Sequence, residues 1–89
     1  MPKSPPSLNS LRAFEAVSRH LNYHAAAQEL NVTPAAVKQL VVKLEYAVGK
    51  PLLQRKGRGL ELTETGMAGC GELSTAMERI NRAVDRMRG

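Results

Sequence analysis

Six of the thirteen lysines and arginines in this 89-residue chain fall between Thr33 and Leu60, namely Lys38, Lys43, Lys50, Arg55, Lys56 and Arg58, against one acid, Glu45. That segment holds the whole net charge of +5, because the other seven bases are balanced by seven acids. Cations gathered in one stretch are the footprint of a polyanion partner, since phosphate neutralisation supplies most non-specific affinity. Within the stretch, Lys38 can donate to guanine O6 or N7, Gln39 can bridge adenine N6 and N7, and Ala35 or Val42 can touch a thymine methyl. Bond-making chemistry has no comparable foothold. His20 and His24 have no sequence-evident nucleophile or ligand partner, and the single Cys70 has no second thiol for a disulfide or a metal. The chain therefore reads as non-enzymatic, with no catalytic residues, no metal and no cofactor. Charge alone would equally describe a solvated basic face, so the elements that carry these residues decide between the two.

Pro5-Pro6 bars an earlier helix, and Ser7 is a good N-cap for a helix from about Leu8 to His20, with Leu11, Phe14, Val17 and Leu21 on one stripe. A second, short helix begins near Asn22 to His24, carries Ala25, Ala26 and Ala27 as strong helix formers, and ends at Leu30. Asn31 suits the left-handed position that stops a helix, Thr33 is a ready N-cap, and Pro34 fits the first helical position, where no N–H is needed. A helix-turn-helix follows. Phased at 100° per residue, the third helix, Pro34 to about Val48, gathers Val37, Val41, Leu44 and Val48 as core. Ala35, Lys38, Gln39, Val42 and Tyr46 then face outward, and this side is assigned to the DNA major groove, where residues near the start of a recognition helix reach the bases.

After Gly49, Pro51-Leu52-Leu53-Gln54-Arg55 and Leu60-Glu61-Leu62 read as two short strands around Lys56-Gly57-Arg58-Gly59, a β-wing whose two glycines allow positive φ at its tip. The flanking cations Lys56 and Arg58 can reach a phosphate or the narrow minor groove, and Arg58 is the strongest candidate. Thr63 caps a last helix, Glu64 to Arg88, about 37 Å long at 1.5 Å per residue. On it Leu73, Met77, Ile80, Val84 and Met87 recur at spacings of 4, 3, 4 and 3, a coiled-coil seam that a monomer of this size would leave in water. Gly66 and Cys70 extend the phase backwards, and Gly66, Gly69 and Gly71 point to a bent or closely packed start. The expected division is 1–63 as the winged helix-turn-helix DNA-binding domain and 64–89 as a linker and dimerisation helix, giving a homodimer. The fold class is mainly α, with a small two-stranded β-wing and a long C-terminal linker helix.

Composition narrows the setting. With 89 residues, 43% hydrophobic and 24% charged, one globular domain is the ceiling. Only Phe14, Tyr23 and Tyr46 are aromatic, which leaves little for base stacking and weakens an RNA or single-strand reading. The lone cysteine fits a reducing compartment, no stretch is long and apolar enough to span a bilayer, and the start lacks a signal-peptide core. The expectation is a cytoplasmic protein with double-stranded DNA and no membrane as its partner. A protein-interaction module, blocking a full-length regulator by forming mixed dimers, is the alternative of a different class. Salt-dependent binding to duplex DNA separates the two.

From Leu8 to Gly66 the chain resembles the N-terminal domain of LysR-type transcriptional regulators. The resemblance is carried by the run Leu8-Asn9-Ser10-Leu11-Arg12-Ala13-Phe14-Glu15-Ala16-Val17, by Ala26-Ala27, by Leu30-Asn31-Val32-Thr33-Pro34-Ala35-Ala36-Val37, by Leu44-Glu45, Gly49, Leu52, Arg55 and Arg58-Gly59, and by Leu62-Thr63-Glu64-Thr65-Gly66. It is most similar to the subgroup that contains glycine-cleavage and β-lactamase regulators. The resemblance implies DNA contacts at Thr33, Pro34, Ala35, Lys38, Gln39 and Arg58, with Asn22 and Arg55 near phosphates. It also implies antiparallel linker helices, an inverted-repeat site, and a larger effector-binding domain beyond the linker that is absent from this chain, as in a fragment ending at the linker or a naturally short protein. The family pattern places a small hydroxyl residue where Lys38 stands, a polar one at Leu40 and a phenylalanine at Leu53. It has a threonine or serine cap where His24 stands, so the capping role is expected to pass to Asn22. A buried, inert thiol is expected at Cys70.

Overall fold

A computed structural model describes residues 6–89; the expected break at Pro5 lies outside them. The elements run α1 (Leu8–His20), α2 (Tyr23–Leu30), α3 (Pro34–Val48), β1 (Leu53–Lys56), β2 (Gly59–Leu62) and α4 (Glu64–Arg88). The boundaries fall where short polar side chains and left-handed residues force them. Ser7 Oγ accepts from Ser10 N at 3.1 Å, Asn22 Oδ1 from Ala25 N at 2.8 Å, Thr33 Oγ1 from Ala36 N at 3.1 Å and Thr63 Oγ1 from Gly66 N at 3.1 Å. Each satisfies one of the donors that a helix start leaves orphaned. At the other ends, Asn31 (φ 57°) and Gly49 (φ 87°) are left-handed, and Val32 N reaches Ala27 O at 3.1 Å to close a Schellman-type stop. Asn22 therefore does take the capping role expected of it.

Helices α1, α2 and α3 enclose one small core of Ala13, Phe14, Ala16, Val17, Ala26, Ala27, Val37, Val41 and Leu44, closed from below by Leu52 and Leu53. Ala13 and Ala16 of α1 and Ala26 and Ala27 of α2 are all buried in this core, and it is this packing that holds an α2 too short to be stable alone. β1 and β2 pair antiparallel in the register Leu53↔Leu62, Gln54↔Glu61, Arg55↔Leu60 and Lys56↔Gly59. Of the two tip glycines only Gly57 has positive φ (58°), the φ pattern of a type II′ hairpin turn with glycine first.

Several expectations are corrected. Leu21 does not extend the α1 stripe: it is the left-handed C-cap (φ 51°), its N–H bonded to Val17 O at 2.7 Å and its side chain exposed. Val48 is 46% exposed rather than core, because the last turn of α3 overshoots the helical layer and leaves it at the lip of an apolar groove shared with Leu11 and Leu73. Cys70 is half-buried rather than buried, with Sγ 3.7 Å from Met67 O. The three glycines of α4 differ in kind. Only Gly66 marks close packing, since a Cβ there would lie 2.3 Å from Leu52 O, whereas nothing lies within 4 Å at Gly69 or Gly71.

Helix α4 is fixed to the body by its first half. Leu73 packs against the core, and Ser74 Oγ donates to Glu15 Oε2 at 2.9 Å. Glu15 is only 7% exposed, and its carboxylate is satisfied by Arg19 Nε at 2.6 Å and Nη2 at 2.9 Å. That pairing is what makes a buried carboxylate tolerable. Further out, Ile80 is 40% and Met87 81% exposed in the single chain.

Candidate nucleic-acid interface

The caps of α2 and α3 and the hairpin converge on one cleft of about 360 Å³. Asn22, Tyr23 and His24 line it from the start of α2, Pro34, Ala35 and Lys38 from the start of α3, and Arg55 and Arg58 from the wing. Thr33 stands exposed at the head of α3. The side-chain oxygens of Asn22 and Thr33 are committed to their helices, which leaves the amide NH₂ of one and the hydroxyl proton of the other as donors. Donors, three cations and two helix starts around one concavity suit an anionic backbone.

Strand parity sorts the wing cations. Leu53 is buried, so Arg55, two residues on, shares its inward side opposite Leu60 and reaches the cleft. Lys56 takes the other face, where its Nζ lies 3.5 Å from Glu61 Oε2 and Gln54 Nε2 donates to Glu61 Oε1 at 2.9 Å. Among the described residues, no ion pair engages Lys38, Arg55 or Arg58, whereas Arg19 is held by Glu15 and Glu29. Glu29 is pulled down to about 2 by the Arg19 guanidinium, with burial opposing and His20 assisting. The bases outside the Thr33–Leu60 segment are thus partly consumed within the fold, and those facing the cleft are not.

Gln39 lies beside the cleft, on a shallow surface formed with Ala35, Lys38, Val42 and Lys43 along the exposed side of α3. The structure therefore brings Asn22, Pro34, Ala35, Lys38, Arg55 and Arg58 together, sets Thr33 and Gln39 at their border, and turns Lys56 away. Tyr23 and His24 line the same cleft without having been singled out for it. Burial, reinforced by the charge of Glu45 and opposed by Arg55, raises the Tyr23 phenol above its ordinary 10.0. Tyr23 therefore stays a neutral group beside Arg55 in the cleft. The seam residues Leu73, Met77, Ile80, Val84 and Met87 all lie on α4, away from this cleft.

Comparison with known proteins places the chain. Residues 8–67 match the model of the bacterial regulatory helix-turn-helix protein, lysR family. The chain is 44% identical over 87 residues to the glycine cleavage system transcriptional activator homolog of Haemophilus influenzae, covering 98% of itself and 29% of that relative. It is 51% identical over 79 residues to the HTH-type transcriptional activator AmpR of Providencia stuartii, covering 89% of itself and 27% of that relative. The crystal structure of a CbnR_DBD–DNA complex superposes with a TM-score of 0.77 at 34% identity, over 92% of this chain and 94% of that one. The chain thus spans less than a third of the length of these two regulators. With a family match over most of its residues and this winged helix-turn-helix fold, the chain belongs to the LysR-type family of bacterial regulatory helix-turn-helix proteins.

Proposed function

We propose that these residues bind duplex DNA sequence-specifically for transcription regulation, with α3 in the major groove and the wing at the adjacent minor groove. The observation that carries this is the convergence of Lys38, Arg55 and Arg58, none ion-paired among the described residues, on the capped starts of α2 and α3. Ala35, Lys38 and Gln39 read base edges near the start of the helix, while Asn22, Thr33, Arg55 and Arg58 hold backbone. Pro34 contributes shape at the helix start rather than a donor. Lys56 belongs at the rim, because Glu61 competes for its charge. The likeness to a DNA-bound domain at 34% identity supports the same use of the fold.

Residues 64–89 act in this reading as the linker that makes a homodimer through Leu73, Met77, Ile80, Val84 and Met87, so that the site is an inverted repeat. In this reading the protein works in the cytoplasm, where its DNA is. Among the described residues, no helix is long and apolar enough to cross a membrane. The test is a titration of duplex DNA at several salt concentrations. Removing Arg58 should weaken binding to every duplex and flatten log K against log salt by about 0.9, one phosphate contact. Removing Lys56 should change the slope less. An unchanged slope for Arg58→Ala takes it off the phosphate list, and binding insensitive to salt refutes the reading as a whole.

A further inference from the structure

We infer that Glu45 is a positioning residue for the wing, fixing where Arg55 and Arg58 stand relative to the recognition helix without touching DNA; the inference rests on the DNA-binding reading above. Glu45 is the only acid between Thr33 and Leu60. A carboxylate there weakens the attraction of the segment for phosphate, so its place is explained by what it holds. Its Oε2 accepts from Leu52 N at 2.8 Å and from Leu53 N, the first residue of β1, at 3.3 Å. Its backbone carbonyl accepts from Gly49 N at 2.8 Å, so one residue of α3 secures both ends of the connection to the wing.

The other side of that connection is gripped by Thr63, whose Oγ1 donates to Pro51 O at 2.7 Å and whose N–H donates to Leu52 O at 3.0 Å. Thr63 leads into α4, so among the described residues it is the Glu45 carboxylate that hydrogen-bonds the root of β1 to the helix that carries Lys38 and Gln39, adding direction to the apolar packing of Leu52 and Leu53 on the core. Beyond this root the hairpin projects from Leu53 to Lys56, roughly 10 Å at 3.3 Å per residue. A tilt of about 10° at the root then moves the tip by roughly 2 Å, more than the distance range of a hydrogen bond tolerates.

The experiment is a double-mutant cycle between Glu45 and Arg58, which share no hydrogen bond or ion pair among the described residues, read as duplex affinity at low salt, with circular dichroism confirming that each variant is folded. Arg58→Ala should weaken binding about ten-fold in the natural background. In the Glu45→Ala background the same change should weaken it by about two-fold or less, because the wing is no longer aimed. Glu45→Gln keeps an acceptor oxygen and should restore the full Arg58 factor. Glu45→Asp keeps the charge but withdraws the acceptor by one carbon. If the alanine variant does not fold, the Arg58 factor must shrink in the aspartate variant instead. Equal Arg58 factors in both backgrounds, or no restoration by glutamine, overturn the positioning role while leaving the DNA-binding reading intact. An Arg58 factor of one in the natural background refutes the wing contact itself, and the positioning role falls with it.

Discussion

Replacing Gly66 by alanine should destabilise the fold although alanine is the better helix former, and the size of the effect follows from one distance. The added Cβ would sit 2.3 Å from Leu52 O, 3.2 Å from Leu52 C and 3.1 Å from Leu62 Cδ2. The side chain of Leu62 can give way, but the Leu52 backbone is held from one side by Glu45 and from the other by Thr63. Overpacking of this kind costs about 1–3 kcal/mol, and a clash with pinned backbone belongs at the upper end. Helix propensity returns about 1 kcal/mol, so the net loss is about 2 kcal/mol. Gly71→Ala is the control: nothing lies within 4 Å of its Cβ, and the same propensity should add about 1 kcal/mol. At about 4–8 °C per kcal/mol for a domain of this size, the two melting temperatures should move in opposite directions and differ by more than about 10 °C. Thermal unfolding at one fixed protein concentration checks this, since self-association would otherwise raise apparent stability. A Gly66→Ala protein as stable as Gly71→Ala would refute the close approach of α4 to the Leu52 backbone.

Other perturbations should separate the parts of the molecule. Glu29 titrates at about 2 in the folded chain against an ordinary 4.5, so its contribution is complete above about pH 4.5 and is lost as pH falls towards 2. Because Glu29 is largely exposed, Glu29→Gln should cost less than about 1 kcal/mol at pH 7, with the difference closing in acid; a pH-independent difference in urea unfolding would contradict the pairing with Arg19. Lys38→Ala and Gln39→Ala should each lose about 1–3 kcal/mol on the preferred site and little on random duplex, and equal losses on both would remove them from the base-reading set. Ile80→Lys combined with Val84→Lys should leave the body folded while abolishing dimers; sedimentation that still shows dimers would mean that the α4 seam is not the interface.

The helix-turn-helix was legible because each boundary carries a residue with one dominant local use: Ser7, Asn22, Thr33 and Thr63 cap with their oxygens, and Asn31 and Gly49 adopt left-handed backbone. Where periodicity was the only guide, it found the face but not its extent. Val48 is in phase with Val41 and Leu44 yet lies past the layer that would cover it. Leu21 falls one residue beyond the end of its helix. The cleft was legible as a charge segment but not as a shape. The alternation Leu53, Arg55 against Gln54, Lys56 already separates the inward cation from the outward one, and a charge count cannot register it. Glu45 stood out as the exception in a basic stretch and within the Leu44-Glu45 pair of the resemblance, but its role was not legible, because a side chain that bonds backbone seven residues away leaves no periodic trace. Gly66 is similar, since its need for space comes from a carbonyl fourteen residues earlier in the chain.

Selection of binding sites from a pool of random duplexes, followed by titration of the enriched sequence against a scrambled one, tests the proposed function most directly. The expected product is an inverted repeat whose half-sites lie about 34 Å apart on one face of the duplex, matching two recognition helices related by a two-fold axis. Binding to it should exceed binding to scrambled DNA by at least about 10³-fold, with both weakening steeply as salt rises. A pool that emerges without a shared sequence, or an enriched site bound no better than its scrambled form, would contradict sequence-specific recognition by this cleft.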